Sequence, residues 1–168
     1  MNTVKKTKQI AIESMKLIGE VKWVKSKNGE VVSETPWMKN KVLSSSECGI
    51  QLFLDRIYGD TTHSAVIAHA DIGDDNTAVN AASDTGCINP LVRASIADKS
   101  ESGNQRTFRF FFPNATTPDD TYTEFSMMTD GNATPGNGQG FNRIVMDTPL
   151  VKATGEDHTL VCRITGSV

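Results

Sequence analysis

Long hydrophobic runs are missing from this chain of 168 residues. No apolar stretch approaches the roughly 18 residues of a membrane-spanning helix, which excludes a helical membrane protein. Aromatic side chains with a polar handle are scarce, with two Trp and two Tyr, so stacking platforms for sugars or nucleic-acid bases are few. Cys48, Cys87 and Cys162 are odd in number and far apart, which excludes a disulfide framework and fits folding in a reducing cytoplasm. The lysine-rich N-terminus lacks the apolar stretch and small-residue cleavage site of a secretory signal. There is no internal repeat.

Catalytic and ligand-binding signatures are missing as well. His63, His69, His158 and the three cysteines show no CxxC, HxxxH or HExxH spacing, which argues against structural zinc. No G-x-S-x-G elbow is present, and Cys48 reads as a small apolar residue beside a helix start. The glycine-rich stretch from Gly131 to Gly140 runs into Phe141-Asn142-Arg143-Ile144, a strand pattern, where a phosphate loop needs Lys and Ser/Thr opening a helix. Asp71, Asp74, Asp75 and Asn76 gather oxygen donors in one loop, with Asp84 further on, but their spacing matches no EF-hand, and Asp and Asn are common turn residues. Asp119, Asp120 and Glu124 lie close together around a Pro118 turn, an ordinary placement for carboxylates. The expectation is a protein that is not an enzyme and has no cofactor or metal.

What the chain does contain is small polar residues: 13 Ser, 18 Thr and 11 Asn, a quarter of the whole. That composition favours strands joined by turns over a helical bundle. The hydrophobic share of 38% is enough for one modest core. Residues 1–27 hold seven Lys and two Glu, a net +5, and the remaining 141 residues carry −8, for −3 overall. Residues 1–14 show no period and read as an extended basic N-terminal arm ahead of a single domain over 15–168. Such an arm suits an acidic protein surface or solvent better than nucleic acid, which asks for a more basic domain. Neither membrane nor specific nucleic-acid binding is expected.

Asn28-Gly29 between Val21–Lys27 and Glu30–Glu34 is a two-residue hairpin signal that sets Lys27 opposite Glu30. Pro36 limits the return strand and marks an edge. Ser44 and Glu47 read as a capping box, Ile50, Phe53, Leu54 and Ile57 as one helical stripe, and Gly59 as the stop, giving a helix near Ser46–Tyr58 that buries its stripe across a sheet face or end. Val66–Ile72, Leu91–Ile96, Thr107–Phe112, Tyr122–Met128, Phe141–Met146 and Thr159–Thr165 read as short strands. Phe108, Phe110 and Phe112 share one face, and Leu160, Cys162 and Ile164 another. Asp98–Asn104 reads as a loop. The predicted fold is mainly β, an antiparallel β-sandwich with one short amphipathic helix.

The order of elements resembles a group of small structural proteins of tailed bacteriophages, found among tail, collar and fibre-associated components. The residues that carry the resemblance are Lys39-Asn40-Lys41-Val42, Ala70-Asp71-Ile72-Gly73-Asp74-Asp75-Asn76-Thr77 and Ser83-Asp84-Thr85-Gly86-Cys87. They continue with Leu91-Val92-Arg93, Thr121-Tyr122-Thr123-Glu124-Phe125-Ser126 and Pro149-Leu150-Val151-Lys152-Ala153. The similar proteins usually have Gly where Ser126 stands and often Leu at Cys87. The resemblance implies a virion building block assembled in the host cytoplasm, with copies of itself and other virion proteins of tail, neck, portal or capsid as partners. A capsid decoration protein is the alternative within the class. A carbohydrate-binding module using Trp37 is the alternative outside it. Lys5, Lys6 and Lys8 of the arm, Trp23, Trp37, and the acidic Asp71, Asp74 and Asp75 are the candidate assembly contacts.

Overall fold

The computed structural model describes residues 16–167, so the arm lies outside the described residues. Ten strands and one helix follow in the order β1 (Lys16–Lys27), β2 (Glu30–Glu34), β3 (Met38–Val42), α1 (Ile50–Tyr58), β4 (Ile67–Gly73), β5 (Pro90–Ser102), β6 (Gln105–Phe112), β7 (Thr121–Thr129), β8 (Gln139–Gly140), β9 (Asn142–Val151) and β10 (Asp157–Ser167).

The fold is mainly β, but the sandwich expectation is corrected: eight strands form one closed antiparallel barrel. Around the barrel they run β10-β6-β5-β4-β7-β9-β3-β1, and β1 closes the ring by pairing with β10 from Lys16↔Ser167 to Ser26↔Asp157. The length of β1 is the physical reason. Twelve residues suffice to pair with β10 on one side while Gly19–Val21 pairs with β3 on the other, leaving no seam between two sheets. Gly19 permits this approach, because a Cβ there would meet Asn40 Oδ1 at 1.8 Å.

Alternation fills the interior. Val21 and Trp23 of β1, Phe110 and Phe112 of β6, Tyr122, Phe125 and Met127 of β7, and Leu160 and Cys162 of β10 form the buried cluster, with Phe108 and Ile164 packed against it. Asn28 and Gly29 both have positive φ (54° and 83°), as a type I′ turn requires, and Lys27 does pair with Glu30. β2 pairs only with β1, so the edge expected from Pro36 is present. Asp98–Asn104 is not a loop: β5 and β6 continue to Ser102 and Gln105 and turn over Gly103-Asn104. Both faces of that hairpin end are wet, so no apolar pattern betrays it.

The register gives the barrel two distinct ends. Leu17, Val42, Ile67, Ser102 and Ser167 lie at one, with α1 in the connection from β3 to β4. Lys27, Pro90, Phe112, Thr121 and Asp157 lie at the other, together with the β1–β2 hairpin.

His158 is fully buried at this second end, edge-on to Trp23 with ring centroids 6.2 Å apart. Burial first, then Lys25, pushes its pKa below the ordinary 6.5, against the opposing pull of Glu156 3.5 Å away. Neutral His158 therefore contributes stability that is complete above pH 6.5 and declines as pH falls below it towards the folded-state pKa. Denaturant unfolding at pH 7.5 and 5.5 is expected to show a loss of stability at the lower pH. His158→Gln is expected to shrink that loss.

Candidate assembly surface

Two buried ion-pair centres fold loops against the outer wall of the barrel. On β7, Tyr122, Phe125 and Met127 face the interior, yet outward Glu124, Ser126 and Met128 are buried too. Glu124 sits beneath the segment 74–89 and accepts the backbone N–H groups of Ile88 (3.0 Å) and Asn89 (2.8 Å). Arg143 of β9 donates Nε–H to the same carboxylate at 2.8 Å and also donates to the Thr77 carbonyl and the Asp84 carboxylate, each at 3.0 Å. A fourth contact reaches Asp75 at 3.4 Å. Both Glu124 and Arg143 are 0% exposed, a placement that survives only because every charge is met.

Asp71 and Arg93 do the same for the glycine-rich segment. They form a bidentate pair at 2.6 and 2.7 Å, Asp71 accepts the Gly136 N–H, and Arg93 donates to the Asn132 carbonyl. Asp75 accepts the Thr77 N–H at 2.7 Å, and that N–H, then the Thr77 hydroxyl, holds its carboxyl below the usual range. Asp74 accepts from Asn89. The acidic cluster and the glycine run are thus pinned turns.

The pinned 74–89 segment in turn holds the entrance to α1. Ser44 donates its backbone N–H to Ala81 at 2.7 Å, and the Ser45 hydroxyl donates to the Asp84 carbonyl. The expected Ser44–Glu47 capping box is therefore corrected: Ser44 and Ser45 are engaged with the loop, and the cap is Gly49 without a side-chain bond. Gly49 has φ 52°, and a Cβ there would lie 1.9 Å from the Leu43 carbonyl oxygen. Gly49 N–H bonds Gly140 and Ile50 N–H bonds Leu43, both at 2.9 Å, which fixes the roll of the helix about its own axis. Gly59, at φ 97°, ends it as expected.

That roll turns the apolar stripe away from the protein. Leu52 is the one buried residue of the helix. Phe53 is 36% exposed, Leu54 51%, Ile57 84% and Tyr58 91%, and Val66 just beyond is 65% exposed. The expectation that the stripe buries against a sheet is corrected: period locates an apolar face but does not say what lies opposite it. Phe53 stands edge-on to Phe141, centroids 5.8 Å apart. There it borders an open groove of about 390 Å³ at the barrel mouth, lined by Leu17, Ile67, Phe108 and Ile164, with Lys99 and Arg106 also lining it.

The residues singled out from sequence are not brought to one place. Trp23 is 1% exposed inside the barrel, donating Nε1–H to Met146 Sδ, and so offers no surface to a neighbour. Asp71 is 0% exposed and committed to Arg93, leaving only Asp74 and Asp75 of the acidic trio near solvent. Trp37 is half-buried on the outer wall, with the Arg163 guanidinium 4.0 Å and Lys22 Nζ 5.5 Å from its ring centre. Lys5, Lys6 and Lys8 lie outside the described residues. Among the described residues, no group of three or more His, Cys, Asp or Glu side chains is placed to hold a metal ion, and no helix is long and apolar enough to cross a membrane. Comparison with known families, curated proteins and solved structures finds no match to this chain.

Thermal and denaturant unfolding distinguish the two sides of the helix. Ile57→Asp is expected to change stability by no more than about 0.5 kcal/mol, as for other surface sites. Leu52→Ala is expected to cost about 2–5 kcal/mol. Glu124→Ala, which strands Arg143 without its main partner, is expected to cost about 3–5 kcal/mol.

Proposed function

We propose that this protein is a non-enzymatic structural component of a tailed bacteriophage virion, a tail, neck/collar or fibre-attachment protein that acts through multimeric assembly. The ordered sequence motifs support the class of particle. The observation that carries the assembly role is the outward apolar face of Phe53, Leu54, Ile57, Tyr58 and Val66. Taking about 150–250 Å² as the surface of a large side chain, these five leave on the order of 500 Å² of apolar surface in water. That reaches the upper part of the roughly 300–600 Å² range for the largest patch on a monomer. At about 25 cal/mol per Å², covering it yields roughly 12 kcal/mol. This is comparable to the approximately 4–15 kcal/mol cost of association, so the face supports a contact but needs further area to make it lasting.

The chain is expected in particles purified through a density gradient, where mass spectrometry detects it in stoichiometric amount. Ile57→Asp, still folded by circular dichroism, is expected to be absent from them. Infectious particles of normal morphology that lack the chain altogether contradict the proposal.

A further inference from the structure

The two ends of the barrel carry exposed features that complement each other. At one end is the apolar mouth with Phe53 and Val66 on its border, and the only charged residues lining it are cations, Lys99 and Arg106. Lys99 has no ion-pair partner among the described residues, and Arg106 shares an exposed pair with Glu101 at 3.3 Å. At the other end is β2, Glu-Val-Val-Ser-Glu, exposed at all five positions and paired with β1 alone. Val31 is 66% and Val32 55% exposed, on opposite faces of the strand; Glu30 precedes them, and Glu34 beyond them is paired with Lys22 at 2.8 Å.

We infer that the β1–β2 hairpin of one copy of this chain seats in the barrel mouth of the next. Val31 and Val32 meet opposite apolar walls of the groove, and Glu30 meets Lys99, the cation there without an ion-pair partner among the described residues. This rests on the assembly role proposed for the same face and names its partner. The hairpin cannot reach its own mouth: β1 runs the length of the barrel between them, and its twelve residues span about 40 Å. Nor does β2 suit pairing with β2 of another copy, because an antiparallel register centred on Val32 sets Glu30 against Glu34 twice, and facing like charges destabilise. Mouth and hairpin are different surfaces, so the contact is heterologous, and repetition builds a ring or a filament.

Disulfide trapping in the full chain tests this, since the native cysteines are buried or half-buried. Val32→Cys and Val66→Cys, oxidised together, are expected to give a joined pair, and neither variant alone is expected to crosslink. Light scattering supplies the second measurement. Lys99→Glu is expected to weaken self-association about tenfold, and Glu30→Lys in the same chain to restore it. Crosslinking of Val66→Cys only to itself, or Lys99→Glu without effect on assembly, overturns the hairpin-in-mouth contact while leaving a multimer in place. A chain that stays monomeric at every concentration, yet still enters particles in an Ile57-dependent way, overturns it too and leaves the virion role standing.

Discussion

The buried pair of Glu124 and Arg143 organises the outer half of this protein. A carboxylate and a guanidinium, each 0% exposed, sit on the outer wall of the barrel. They are tolerated there because the segment 74–89 supplies what they lack: two N–H groups to Glu124, and a carbonyl and two further carboxylates to Arg143. A buried pair of this kind adds little net stability compared with well-packed apolar residues, but losing one partner is costly. Its effect is therefore to specify where the segment lies.

From that placement the remaining outer features follow. The fixed segment holds Ser44 and Ser45, the turn closes over Gly49, and the helix is delivered in one roll. In that roll Leu52 faces the protein while Ile57 and Tyr58 face water. An amphipathic helix left to itself buries its apolar stripe. Here backbone hydrogen bonds at the N-terminus override that tendency, and the exposed stripe joins the barrel mouth into one apolar surface. The opposite end offers β2, exposed at all five positions and paired only with β1, as an open strand edge.

Local alternation was legible in the sequence because it needs only neighbours. Phe108, Phe110 and Phe112, the Asn28-Gly29 turn and the Gly59 stop each sit where periodicity and backbone preference place them. Closure was not legible, since it depends on β1 meeting β10 across more than a hundred residues. β3 escaped notice because Lys39 and Lys41 occupy its outward positions and it has only five residues. Trp23 shares its strand face with Val21, with Lys22 between them and Glu20 before, a pattern that points it inward and argues against a surface contact. Glu124 also carried a signal, as the lone charge of β7, and Arg143 did so more weakly, as the charge leading into the apolar run Ile144-Val145-Met146 of β9. The roll of the helix carried none, because it is set by carbonyls of Leu43, Ala81, Asp84 and Gly140.

The Arg143 centre, through the 74–89 segment, holds the helix with its apolar stripe outward. Amide hydrogen exchange of Arg143→Met against the parent chain tests this hold, because exchange reports local opening segment by segment. Residues 77–88 and 50–58 are expected to lose protection together, while β1, β6 and β10 keep theirs. Helix protection unchanged when the 77–88 segment opens would contradict it.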